Sequence, residues 1–358
     1  MANDSFFDDK SILIIDQAGD KGNDRTWCFW EDGAGEWDTI VHKTWPKVYF
    51  GSNSYSKTIV IGPYNYKMIR SEVYYKALWE TIQKKSNFTF VQENVESFNE
   101  MKDGVQVLTE KSHYLGSKVF NSLPNPEIYL EQRKYPVLQQ HFIGWFIETE
   151  TETFDDAEAT FMDFTVPQNG NTRFMYVLPL NKKVALFEYT LFSKDVLHET
   201  EYENAISNYL KTKGILNYKI VEKEKGIIPM TAFKFKDRNS EHILNIGTVG
   251  GWTKASTGYT FKMTAKKTKQ LVEFLKSEDD LTKFSKISKF WFYDLLFLDV
   301  LARHNEEGAA LFASMFKKTD IKTIFKFLDE QSTILEDLKI ILAVPSKRFV
   351  QAFFGRLF

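Results

Sequence analysis

Apolar and polar positions change rhythm three times along the chain. Between residues 140 and 192, runs of apolar, aromatic and β-branched residues at 140–149, 159–164, 173–179 and 184–192 are each broken by turn residues. Runs of this length and composition predict strands, and Asn181-Lys182-Lys183 predicts a hairpin between the last two. Shorter strands are predicted at 12–16, 57–61, 88–91, 104–108 and 118–120, with a polar, Gly-containing loop over 17–24. Apolar residues recurring at three- and four-residue intervals predict helices over 68–84, 202–213 and 264–277. From residue 288 onward the pattern is helical throughout, densest at 290–301, 309–316 and 321–328. There is no internal repeat and no low-complexity linker. Strand-rich stretches interleaved with nucleotide-fold segments predict a discontinuous architecture.

The second hairpin strand carries one carboxylic acid in almost wholly apolar company: Val184-Ala185-Leu186-Phe187-Glu188-Tyr189-Thr190-Leu191-Phe192. A two-residue period places Leu186, Glu188, Thr190 and Phe192 on one face and Phe187, Tyr189 and Leu191 on the other. Apolar surroundings disfavour the charged form of a carboxyl, so Glu188 is a candidate Brønsted acid. The bland alternative is a solvated or Lys-paired carboxylate. Asp163, in Phe161-Met162-Asp163-Phe164, is the second candidate on the same grounds.

Two segments have nucleotide-binding character. Ile12-Leu13-Ile14-Ile15-Asp16 is an apolar run ending in a carboxylate, the form of a strand whose acid meets a ribose. Ile243–Asn245 leads into Gly247-Thr248-Val249-Gly250-Gly251, then Ser256-Thr257-Gly258-Tyr259, with a helix beginning near Thr260. Such a turn lets backbone N–H groups approach a phosphate beside a helix N-terminus. A tight loop using glycine for positive φ is the alternative. In Arg25-Thr26-Trp27-Cys28-Phe29-Trp30-Glu31, two indoles and a Phe flank a thiol that has no visible activating partner. They are lining for an apolar ligand or ordinary core.

Composition narrows the field. With 46 basic against 48 acidic residues, the formal charge of −2 gives no footprint for nucleic acid. One cysteine rules out an internal disulfide and points to a reducing, cytoplasmic setting. Six scattered histidines lack metal-ligand spacing, so no metal site is expected. The chain carries 32 Phe, 16 Tyr and 8 Trp, more aromatic surface than a core usually needs. An apolar cavity, a membrane-facing patch or compositional bias would account for it.

Several of these segments, in order, resemble the flavin-dependent lycopene β-cyclases, in a form similar to those of flavobacteria. The match is carried by residues 23–31, Gln140–Trp145, Met162–Phe164, 173–190, Gly226–Met230, Gly247–Tyr259 and Phe290–Leu296. It covers essentially the whole chain. The resemblance implies a mixed α/β fold: a Rossmann-like FAD-binding domain (1–35, 68–125, 240–280), an inserted β-rich substrate domain (36–67, 126–239) and a helical C-terminal region (281–358). It implies FAD, held reduced by NAD(P)H, contacted by Asp16, Arg25, Gly247, Thr248, Gly250, Gly251, Ser256, Thr257 and Gly258. It also implies lycopene or another acyclic carotenoid lined by Trp27, Trp30, Tyr176, Tyr189 and Tyr259, with Glu188 or Asp163 as the acid. The chain departs from the family in three places. Eleven residues precede Ile12, none of them Gly, so the family's opening G-x-G-x-x-G turn is missing and weak FAD binding is expected. Glu188-Tyr189 stands where some relatives have two acids. Thr248 stands where related flavoproteins have an acid. A flavin hydroxylase or prenyl reductase of the same fold is one alternative, and a non-catalytic carotenoid-binding remnant another. An insoluble substrate and a basic, Phe-rich segment over 346–358 predict peripheral membrane attachment.

Overall fold

The computed structural model describes residues 1–357. Its centre is a seven-stranded sheet in the order Lys219–Thr231, Val137–Glu148, Val184–Ser193, Thr172–Pro179, Glu158–Asp163, Lys47–Gly51, Ser56–Val60. All neighbours are antiparallel except Glu158–Asp163 with Lys47–Gly51, which run parallel. The hairpin forms where expected. The Asn181 carboxamide oxygen accepts from the backbone N–H of Lys183 (2.8 Å) and Val184 (2.9 Å), a local bond that favours the turn over strand continuation.

Each face of this sheet buries a different core. One face, with Ile143, Trp145, Met175, Phe187, Tyr189 and Leu191, packs on the helix Glu199–Thr212 through Tyr202, Ile206, Tyr209 and Leu210. The other face, with Phe146, Phe174, Tyr176, Leu186 and Phe192, meets a three-stranded sheet and the C-terminal helices. That smaller sheet is Thr26–Asp32, Tyr64–Arg70 and Lys43–Trp45, all antiparallel. The C-terminal region winds as Lys289–Arg303, Gly308–Lys318, Ile321–Leu328, Ile334–Ala343 and Ser346–Leu357.

Much of the aromatic excess lies in the seam between sheet and helices. Phe50 stacks on Phe316 with centroids 4.1 Å apart, Trp30 on Phe325 at 4.6 Å and Phe164 on Phe312 at 5.4 Å. Each such pair contributes about 0.5–1.5 kcal/mol beyond the burial itself.

The nucleotide-fold segments stand apart from the large sheet. Ile12–Asp16 pairs in parallel with Phe88–Gln92, with the helix Ser71–Ile82 in the chain between them. Val119–Asn121 pairs in parallel with Ile243–Asn245, which leads to the glycine turn and the helix Phe261–Phe274. The fold is therefore mixed α/β, as expected. Two local expectations need correction. The helix predicted over 68–84 begins only at Ser71, because Met68 and Ile69, both fully buried, end a strand that pairs with Thr26–Asp32. The strand Lys219–Thr231, thirteen residues long, was not expected.

Candidate active site

Four strands of the large sheet place one residue each in a single row. Glu224 on Lys219–Thr231 and Glu188 on Val184–Ser193 both pair with Gly144 on the strand between them, and Tyr176 pairs with Glu188 on its far side. Residues in register share a face, so the row reads Glu224, Gly144, Glu188, Tyr176 across the sheet. Gly144 is what lets the two carboxyls meet. A Cβ there would lie 2.8 Å from Leu186 Cδ1 and 3.1 Å from Glu224 Cγ. Without it, Glu224 reaches over the middle strand, with Oε1 3.4 Å from where that Cβ would stand, and its charge acts on Glu188.

Both carboxyls are half-buried. Burial pushes the Glu188 carboxyl well above the ordinary glutamate range, and the negative charge of Glu224 pushes it further. Glu224 is raised too, again by burial, but Thr26 and the charge of Arg70 pull it back. Each carboxyl has its own hydroxyl donor: Thr190 Oγ1 donates to Glu188 Oε1 (2.8 Å) and Thr26 Oγ1 to Glu224 Oε2 (2.7 Å). Arg70 Nη1 donates to Thr26 Oγ1 (3.3 Å), while its other nitrogen pairs with Glu222 and its guanidinium lies 4.4 Å from the Phe146 centroid. The result is two acids of unlike character. Burial and the neighbouring charge favour the protonated form of Glu188, while Thr26 and Arg70 favour the charged form of Glu224.

Aromatic hydroxyls and rings close the space around Glu188. The Tyr176 and Tyr259 hydroxyls are 3.3 Å apart, and the Tyr66 ring meets Phe161 edge-on at 5.4 Å. Trp30 meets Tyr259 edge-on at 5.0 Å, and Phe161 approaches both Trp30 (6.2 Å) and Tyr176 (6.3 Å). Burial, then the charges of Glu188 and Glu224, pushes the Cys28 thiol up, so it is a neutral, inert neighbour. The arrangement sets a carboxyl whose protonated form is favoured beside several aromatic rings.

The structure does not bring every predicted residue here. Trp30, Tyr176 and Tyr259 surround Glu188. Trp27 points the other way and stacks on Phe261 at 5.3 Å, and Tyr189 faces the Glu199–Thr212 helix. Asp163 is fully buried on that helix side, where the Tyr209 hydroxyl (2.7 Å) and the Thr165 N–H (3.0 Å) and hydroxyl (2.7 Å) donate to it. It lies on the opposite face from Glu188, with its acceptors satisfied. Asp16 accepts from the Ala18 N–H (3.0 Å) and pairs with Lys21 (2.5 Å), and Arg25 is exposed beside Asp24.

The glycine segment forms a tight turn. Gly247, Gly251 and Gly258 have φ of 60°, 66° and 73°, which L side chains rarely adopt. A Cβ on Gly250 would sit 2.2 Å from the Asn245 carbonyl oxygen, and one on Gly258 2.2 Å from Gln140 Oε1. Next to this turn, Thr257 Oγ1 and Gln140 Oε1 are buried without a hydrogen-bond partner, and the helix Phe261–Phe274 begins with no side-chain cap. Buried polar groups normally find partners, so orphans gathered at one turn fit a polar ligand there.

Sequence reasoning missed Gly144, Thr26, Arg70 and, above all, Glu224. The available signal was the alternation Glu222, Glu224, Gly226, Ile228, which puts two acids on the same face as an isoleucine; Ile220 turns to the helix side across a bulge. A separate apolar cavity of about 370 Å³ lies among the C-terminal helices, lined by Phe292, Leu296, Met315, Ile341, Phe349 and Phe353 among others. Glu188 is not in its wall. Ser256 and Thr257 are, two to three residues before Tyr259.

Comparison with known proteins places the whole chain. Its fold is similar to that of the tetracycline destructase Tet(55), with a TM-score of 0.53 at 13% identity over 90% of this chain and 91% of that one. A geranylgeranyl bacteriochlorophyll reductase-like protein from Thermoplasma acidophilum gives 0.55 at 10% identity over 96% and 90%. A tryptophan halogenase from Shewanella frigidimarina gives 0.55 at 10% identity over 96% and 88%. No curated protein matches the sequence. The family described as lycopene cyclase protein matches residues 5–353. The chain belongs to the lycopene cyclase protein family.

Proposed function

We propose that the protein is a lycopene β-cyclase, converting the ψ-end groups of lycopene to β-rings without net redox change. The observation that carries this is the Glu188 carboxyl beside Tyr176 in the strand register, where burial and the charge of Glu224 favour its protonated form. Glu188 gives its proton to the terminal double bond: the O–H bond breaks, a C–H bond forms, and a tertiary cation results. The neighbouring double bond attacks the cation and closes the six-membered ring. Loss of a ring proton to the carboxyl pair forms the ring double bond and restores the acid. Tyr176, Tyr259 and Trp30 present π faces worth about 0.5–2 kcal/mol each to a passing cation, and Thr190 fixes the carboxyl.

The fold, together with the orphan polar groups at the glycine turn, supports FAD as cofactor. Gly247, Thr248, Gly250, Gly251, Ser256, Thr257 and Gly258 would hold its phosphates against the N-terminus of Phe261–Phe274, and Asp16 a ribose, on releasing Lys21. Reduced FAD, kept so by NAD(P)H, supplies an electron-rich ring face that stabilises positive charge. The FAD domain is assigned to 1–35, 68–125 and 240–280, the substrate domain to 36–67 and 126–239, and the helical region to the remainder.

The substrate's insolubility calls for peripheral attachment to a membrane. On Ser346–Leu357, Val350, Phe353, Phe354 and Leu357 are exposed along one face. Ile334–Ala343 adds Ile334, Leu335, Leu338, Ile341 and Leu342, also exposed. The carboxylates of these two helices are turned to partners, Glu336 to Lys326 and Asp337 to Lys289, which leaves Lys339 and Lys347 exposed toward an anionic surface. The test is incubation of the protein, with chemically reduced FAD, with lycopene in liposomes. A cyclase yields β-carotene, of the same molecular formula as lycopene. A product gaining oxygen or hydrogen overturns this in favour of a flavin oxidoreductase.

A further inference from the structure

We infer that Glu224 is a positioning residue for the proton: across Gly144 it forms, with Glu188, a carboxyl pair that holds one proton and keeps it on Glu188. The strand register places both acids opposite the same glycine, which has no side chain of its own to part them, and Leu186 Cδ1 packs over it beside Glu224. The two ends of the pair are held differently. Glu188 faces the aromatic chamber with only the Thr190 hydroxyl as donor, whereas Glu224 is tied through Thr26 to Arg70. Arg70 is itself buried and fixed by Glu222. Two neighbouring carboxyls withdrawn from bulk water resist both ionising, and the proton stays on the one farther from the cation. That one is Glu188: the charge that acts on it is that of Glu224, whereas the Arg70 charge acts on Glu224. The Glu188 O–H therefore donates to the Glu224 carboxylate until the substrate arrives.

The consequence for turnover rests on the cyclase proposal, but the pair itself does not. When Glu188 gives up its proton the pair carries two negative charges, which only the substrate cation compensates. This ties proton release to the presence of the alkene. Loss of the ring proton returns one proton to the pair, and the electron pair of the broken C–H bond becomes the ring double bond. No oxidant, reductant or solvent proton enters the count.

Two measurements test this. Infrared difference spectra of the substrate-free protein should show one carboxyl C=O band that persists above neutral pH and disappears in Glu188→Gln. In Glu224→Gln the band should titrate at least about one pH unit lower, because the negative neighbour is gone. In turnover, Glu224→Gln should lose its activity at correspondingly lower pH, with kcat at neutral pH reduced about 10- to 100-fold and KM little changed. Glu224→Asp should recover part of both, and carries the test if the Gln variant does not fold. A band and an alkaline limb unmoved by either substitution would overturn the pair. A band that behaves as described in a protein making no β-carotene would instead remove the cyclase proposal and leave the pair standing.

Discussion

Glu188 was legible because its signal is local: one acid, four apolar or aromatic residues before it and three of the four after it, and a period that assigns its face. Glu224 was not, because Lys223 and Lys225 flank it and the stretch reads as solvated. Only the register with Gly144 turns that acid inward. Asp163 shows the converse: its apolar neighbours are real, but three donors from Tyr209 and Thr165 make it a structural anchor. Asp163→Asn should therefore cost about 1–3 kcal/mol of stability, read by denaturant melts, and leave the chemical step near normal. Glu188→Gln should do the opposite. The native carboxyl is raised above its unfolded value of 4.5, so its contribution is full below that pH and is lost as pH rises toward its folded value. The variant should match wild type in acid and become the more stable protein near neutrality, as parallel melts across pH would show. Equal stability at every pH would mean that Glu188 is charged in the folded protein.

At the scale of elements, periodicity found the strands and helices whose two faces differ in hydrophobicity and failed where charge sits on both. Ile321–Leu328 was found to the residue, while Lys219–Thr231, with its acids inward and its lysines outward, was missed. Strand pairing, a long-range choice, also decided where the Ser71–Ile82 helix begins. The middle strand has one position where a methyl group matters to chemistry. Gly144→Ala should destabilise by about 1–3 kcal/mol through crowding against Leu186 and Glu224. By parting the carboxyls it should also lower kcat at least about tenfold with KM little changed. A Gly144→Ala protein of unchanged kcat would show that contact between the acids is unnecessary.

At the scale of the whole molecule, the sequence pointed to a nucleotide fold with β-rich insertions and a helical end, and the layers follow that order. What it could not carry is how the parts face one another: the acid row looks toward the aromatic seam, and the apolar cavity opens among the last helices. No helix among the described residues is long and apolar enough to cross a membrane. The proposed peripheral attachment rests on the exposed apolar faces of Ile334–Ala343 and Ser346–Leu357. Replacing Leu335, Leu342 and Phe354 together by Ser should lower liposome co-sedimentation at least about tenfold, since each buried apolar side chain contributes about 1.5–3 kcal/mol. Turnover of detergent-dispersed lycopene should persist. Unchanged sedimentation would remove these helices from the account.

The central claim is that the Glu188 proton starts the reaction. The direct measurement is conversion of lycopene to β-carotene by Glu188→Gln protein whose flavin content and fold match wild type. The account predicts a loss of at least about 10²-fold, because an amide of the same shape has no proton of useful acidity to give. Conversion at the wild-type rate would contradict it.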